Sequence, residues 1–257
     1  MSAFRTLIKA IAVKDLTLLV RYPVNSLSQL LTIYVYFIAI FFGGQLLVGP
    51  AITQSFDGVV VGFFLWTIAS LAFGSLAWTV TLEAQWGTLE QLCMSPFGLR
   101  VVMAVKAVVN MLFNFTWGVI MLLLMSLTTG KSLHLSGGSI LILGMLTLCS
   151  AVGVGFVFAG LALVYKRIES FIQLMNIVFI GLIAAPVRYF PWLKMLPLAQ
   201  GSYLLRRNME QNRTLWELPS VELFVLLLTA VVYLGLGYAV FRWSQHRARR
   251  DGLLGHY

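Results

Sequence analysis

Between Ser139 and Tyr165 the chain runs for 27 residues without one charged side chain. A span needs about 20 apolar residues, and only a helix or a closed barrel can satisfy its own backbone inside lipid. The run therefore reads as a transmembrane helix. Five further stretches read the same way: 27–48, 58–80, 101–127, 170–187 and 219–241, with 170–187 the shortest. Composition agrees, since 60% of the 257 residues are hydrophobic and 11% are charged, where a soluble domain carries about a quarter charged residues. The expected fold class is all-α: one polytopic transmembrane domain over 1–257 with six transmembrane helices.

The segments between the spans set the expected orientation. Residues 3–20 place Phe4, Leu7, Ile8, Ile11 and Leu18 on one side of a helix and Arg5 and Lys9 opposite. That pattern predicts an amphipathic helix in the interface plane over 1–26, with Pro23 breaking the chain before the first span. Its charged lead is too long for a signal peptide, and no small-residue cleavage site follows. With this end inside, the inner segments hold twelve of the eighteen Lys and Arg residues, including Lys166, Arg167 and the basic tail 242–257. The positive-inside bias then puts both termini in the cytoplasm, in a plasma membrane of prokaryotic type. The formal charge of +9 is distributed as topology signals and headgroup contacts; membrane lipids, not nucleic acid, are the expected partners. Cys93 and Cys149 imply no disulfide framework.

Several chemistries are missing. The interiors of the six stretches hold no Asp, Glu, Arg or His, and one Lys, Lys106, near an inner end. Ion-coupled carriers usually need a titratable group at that depth. Gly130-Lys131-Ser132 imitates the end of a phosphate-binding loop, but Met125 stands where the motif needs its first Gly. His134, His246 and His256 are isolated, without metal-ligand spacing. No catalytic residue, no metal site and no cofactor in the chain itself are expected.

The segment 81–100, "TLEAQWGTLEQLCMSPFGLR", is a polar insert between two spans. On a helical wheel over 82–94, Leu82, Trp86, Leu89, Leu92 and Cys93 share one arc, and Glu83, Gly87, Glu90 and Gln91 face away. This predicts a helix lying flat under the membrane with Trp86 at the interface and its carboxylates toward the cytosol, ended by Ser95-Pro96 and Gly98. A flat helix tied to two spans acts as a lever on both. The stretch "EAQWGTLEQLCMSP" resembles the coupling-helix signature of ABC-2 type transporter permeases, matching at Glu83, Gly87, Thr88, Glu90, Leu92, Ser95 and Pro96 and departing at Ala84 and Gln85. Gln91 lies within it. The resemblance implies a membrane subunit that exports a hydrophobic or amphipathic substrate (lipid, lipid-linked glycan or drug). Two permease copies, identical or different, would pair with two copies of a separate ATPase holding ATP and Mg. A secondary carrier or channel, and a non-transporting scaffold for envelope assembly, are the alternatives.

Other residues carry two readings each. Asn110 and Asn114 share a face of the third stretch, and Asn176 lies in the fifth, with Gln173, Gln29 and Gln45 elsewhere. They either hydrogen-bond between helices, for about 0.6 kcal/mol each, or line a translocation route. Thr147, Ala151, Gly155 and Ala159 form a small-residue stripe for close helix packing. The outer segment 188–218 is expected to be re-entrant, as in the family. It is net basic, with Arg188, Lys194, Arg206, Arg207 and Arg213 against Glu210 and Glu217. Its cations either snorkel to lipid phosphates or meet an anionic substrate or a periplasmic partner.

Overall fold

The computed structural model describes residues 2–48, 56–129, 137–165, 168–210 and 217–251. Gly130-Lys131-Ser132, His134, Lys166, Arg167, Arg213 and His256 lie outside the described residues, as do the side chains of Gln45 and Glu210. Among those described, every regular element is helical: α1 (Ser2–Arg21), α2 (Pro23–Val48), α3 (Phe56–Gln85), α4 (Leu89–Met94), α5 (Gly98–Thr129), α6 (Gly137–Tyr165), α7 (Glu169–Ile183), a 3-10 turn (Pro191–Met195), α8 (Ala199–Glu210) and α9 (Ser220–Arg250).

Five of these helices, α2, α3, α5, α6 and α9, are long and apolar enough to cross a membrane. The chain is a multi-pass membrane protein. α7 covers the stretch expected as a further span, but it has 15 residues, about 22 Å at the α-helical rise against a hydrocarbon core of about 30 Å. Pro186 accounts for the early stop, because the residue before a proline is steered out of the helical region. Ala184 caps the helix with its N–H on the carbonyls of Ile180 and Leu182.

α6 is the hub. Its Thr147, Ala151, Gly155 and Ala159 are all buried inside this chain, so the small-residue stripe serves packing within the chain. α6 meets α9 at Gly153 and Gly237 with backbones in contact: a Cβ on Gly237 would fall 1.9 Å from the Gly153 carbonyl oxygen. In lipid, where apolar burial hardly drives association, such close approach supplies the packing energy. Phe73 of α3 sits between Phe158 of α6 and Phe179 of α7, at centroid distances of 5.0 and 5.2 Å.

The N-terminal element departs from expectation. The chain breaks at Tyr22 as expected, but the span begins at Pro23 rather than at 27, with Pro23 as the first residue of α2, where its missing N–H costs nothing. Only Tyr22 separates α1 from α2. Of the apolar face read for α1, Ile11 is buried against Val102, Val105 and Val109 of α5, and Leu7 packs on the same cluster. Phe4, Ile8 and Leu18 remain exposed.

The far end is built on α8. Ser202 Oγ and Arg206 Nη2 both donate to the Ile183 carbonyl, at 2.7 and 3.2 Å, capping the C-terminus of α7. Arg207 lies 3.2 Å and Lys194 3.8 Å from Glu222 in the first turn of α9. Arg206 and Arg207 are therefore engaged within the protein, which neither reading of the basic outer segment anticipated. Arg188 is exposed.

Candidate functional site: the junction of α3, α4 and α5

The polar insert does not form one helix over 82–94. α3 ends in a capping motif: Gly87 N–H donates to Ala84 O at 3.1 Å and Thr88 N–H to Glu83 O at 2.9 Å. These are the paired reverse bonds that close a helix through a left-handed residue. Gly87 is that residue, at φ +70°, which a Cβ would strain. The Gly-Thr pair thus marks a break that the wheel ignored.

α4 is a separate six-residue helix slung between two spans. Leu92 N–H donates to Thr88 O at 3.1 Å to open it, and Ser95 Oγ donates to Leu92 O at 2.9 Å to close it. Gly98, at φ +68°, then starts α5 with its N–H on Ser95 O at 2.9 Å. Leu89 is buried at 2% exposure and anchors α4, while Glu90, Gln91 and Met94 face outward. Trp86 and Pro96 are also exposed.

Glu83 was expected to face the cytosol. It is buried instead, at 8% exposure. Lys106 Nζ of α5 donates to its Oε1 at 3.1 Å, Lys14 Nζ of α1 lies 3.8 Å from the same oxygen, and the Thr88 hydroxyl donates to its Oε2. The wheel placed Glu83 on the polar arc of its own helix and could not register two cations arriving from other helices. Asp15 stands beside the same cations. Burial raises its carboxyl above the ordinary value, against the opposing pull of the Lys106 and Lys14 charges. Glu83 with Lys14 and Lys106 so ties α1, α3 and α5 into one ionic knot.

A cleft of about 380 Å³ beside the knot is lined by Lys14, Glu83, Thr88, Gln91, Ser95 and Lys106, among others. The structure thus gathers Glu83, Thr88, Gln91, Leu92 and Ser95 around one cleft and leaves Glu90 outside it. Ala84, which departs from the family signature, is 1% exposed, so a charged side chain there would be buried. α9 reaches the same junction: Arg100 Nε donates to Gln245 Oε1 at 2.7 Å, and Arg249 Nη2 to Cys93 O at 3.5 Å.

Asn110, Asn114 and Asn176, from α5 and α7, converge on a second and larger cleft, away from α4. Lys14, Asp15 and Ser70 were not singled out from the sequence; nothing in its spacing links them to either cleft.

No family model, no curated protein and no solved structure matches the chain.

Proposed function

We propose that this chain is the membrane-spanning subunit of an ATP-driven exporter of ABC-2 type, docking a separate ATPase on α4 and its flanks. The observation that carries the reading is mechanical. α4 exposes Glu90, Gln91 and Met94, buries Leu89, and joins two long apolar helices through capped turns of fixed geometry. A load on its outer face reaches both helices. The Glu83–Lys106 pair fastens those helices to each other, so they move together rather than splay.

In this scheme ATP and Mg belong to the partner, whose closure pushes α4 and tilts α3 and α5 between inward-facing and outward-facing arrangements. Two permease copies flank the route. α1 lines the cleft beside α4 and Arg249 in the last turn of α9 donates to Cys93 O, which supports both termini lying on the cytoplasmic side of a prokaryotic plasma membrane. That parity needs a sixth crossing, which α7 supplies together with the turns around Pro186. The cargo is hydrophobic or amphipathic.

The test is co-expression with a candidate ABC-type ATPase subunit. Wild type should retain the ATPase on purification and show turnover, and this chain alone should show none. Glu90→Arg should lose at least tenfold of the co-purifying ATPase while keeping its melting temperature. Turnover by the chain alone, or undiminished co-purification by Glu90→Arg, would contradict the scheme.

A further inference from the structure

A cleft of about 890 Å³ opens between the α1–α2 corner, α3 and α5, with Asn176 of α7 at its wall. Its size is that of a small-molecule site. Three buried polar atoms there have no hydrogen-bond partner in the protein: Ser70 Oγ, Asn114 Nδ2 and Asn176 Oδ1, all on residues lining the cleft. Buried polar atoms are nearly always paired. Three exceptions from three helices, in one cleft, form a pattern rather than a packing accident.

The chemistry of the lining narrows the ligand. A hydroxyl, an amide N–H2 and an amide carbonyl together ask for a partner that both donates and accepts. Asp15 and Tyr22 are the lining residues that can lose a proton, and no Lys or Arg is among the lining. A phosphate would find no counter-charge, and its desolvation would go uncompensated. Trp66, Trp78 and Trp117 also line the cleft, and indole rings pack against the C–H faces of sugar rings and leave the ring hydroxyls free to hydrogen-bond. The Trp66 indole N–H donates to Asn176 O at 3.1 Å, fixing that ring in place. Leu30, Ile33 and Phe113 offer an apolar wall beside the polar atoms.

We infer that this cleft binds the neutral, multiply hydroxylated headgroup of a glycosylated lipid, held by Ser70, Asn114 and Asn176 beside the lining tryptophans. That the lipid is cargo rests on the exporter reading; that it binds does not.

The experiment uses the full chain in phosphatidylcholine nanodiscs. Calorimetry and tryptophan fluorescence follow titration with short-chain glucosyl diacylglycerol, with the matching phosphatidylglycerol, and with the headless diacylglycerol. Glucosyl diacylglycerol should bind saturably, and the other two at least tenfold more weakly. Asn114→Leu and Asn176→Leu should each weaken glucosyl binding at least tenfold without lowering the melting temperature, because each removes a buried polar atom that has no protein partner. Should Asn114→Leu fail to fold, Ser70→Ala carries the same expectation of weaker binding. Equal binding of the headless or the anionic lipid would overturn the inference, as would undiminished binding by the variants. ATPase docking is scored separately. Glucosyl binding without a docked ATPase removes the exporter reading and leaves this site standing, and docking without glucosyl binding does the reverse.

Discussion

Glu83 Oε1 and Lys106 Nζ lie 3.1 Å apart with each side chain 11% exposed, so the end of α3 is pinned to the first turns of α5 by a nearly dry ion pair. Such a pair costs desolvation on both sides, and removing one partner strands the other charge. Lys106→Met and Glu83→Gln should each destabilise the protein, by about 3 kcal/mol when the remaining charge stays uncompensated. The double variant should recover part of that loss, with a coupling energy of about 1–3 kcal/mol. Thermal unfolding of the four proteins in detergent measures it; strict additivity would show that the two residues do not act as a pair.

Gly87 is required by its backbone, not by its space, since nothing lies within 4 Å of a built Cβ. Gly87→Val should cost about 1–2 kcal/mol from left-handed strain alone, and Gly87→Asn distinctly less, because Asn tolerates that region. Melting temperatures of the two variants compare the costs directly.

α9 contains an internal control for helix packing. Gly237→Ala would drive a methyl to 1.9 Å from the Gly153 carbonyl oxygen, whereas a Cβ on Gly235 meets nothing within 4 Å. Gly237→Ala should destabilise by about 1–3 kcal/mol or more. Gly235→Ala should be neutral or stabilising by up to about 1 kcal/mol through helix propensity. Opposite ordering in an unfolding assay would place the α6–α9 contact elsewhere.

Asp15 predicts a pH dependence of definite sign. Burial raises its carboxyl above the ordinary 3.8, so the folded chain holds the proton more tightly than the unfolded chain. Ionisation then costs stability, and the cost appears as pH rises from the ordinary value through the raised one. Asp15→Asn should therefore stabilise at neutral pH, by less than about 1 kcal/mol because the site is partly solvated. The gain should vanish in acid below the ordinary carboxylate range, which melting curves against pH would reveal.

Hydropathy located five of the six expected spans as full-length helices, because a run such as Ser139–Tyr165 has no soluble alternative. It overreached at 170–187, where Pro186 shortens α7 to Ile183. The position of the insert at 81–100 was legible, but its shape was not. A wheel assumes unbroken rotation, and Gly87 interrupts it with a positive φ.

The less legible features are all long-range. Glu83 reads as a surface carboxylate until Lys14 and Lys106 are brought to it from other helices. Arg206 reads as a lipid anchor until the Ile183 carbonyl is found beneath it. Asn114 and Asn176 leave interhelical bonding and route lining both open until Asn114 Nδ2 and Asn176 Oδ1 are found without protein partners in one cleft. Local periodicity carries none of these convergences, since each depends on how separate helices are turned against one another.

The central claim is that the outer face of α4 receives a nucleotide-driven subunit. A photo-crosslinking amino acid at Met94, 78% exposed on that face, tests it in intact cells, with the same probe at exposed Leu127 of α5 as control. The account predicts a covalent adduct between position 94 and an ATP-binding protein, and none from position 127. Adducts from position 94 to lipid alone, in cells where the chain is folded and inserted, would contradict it.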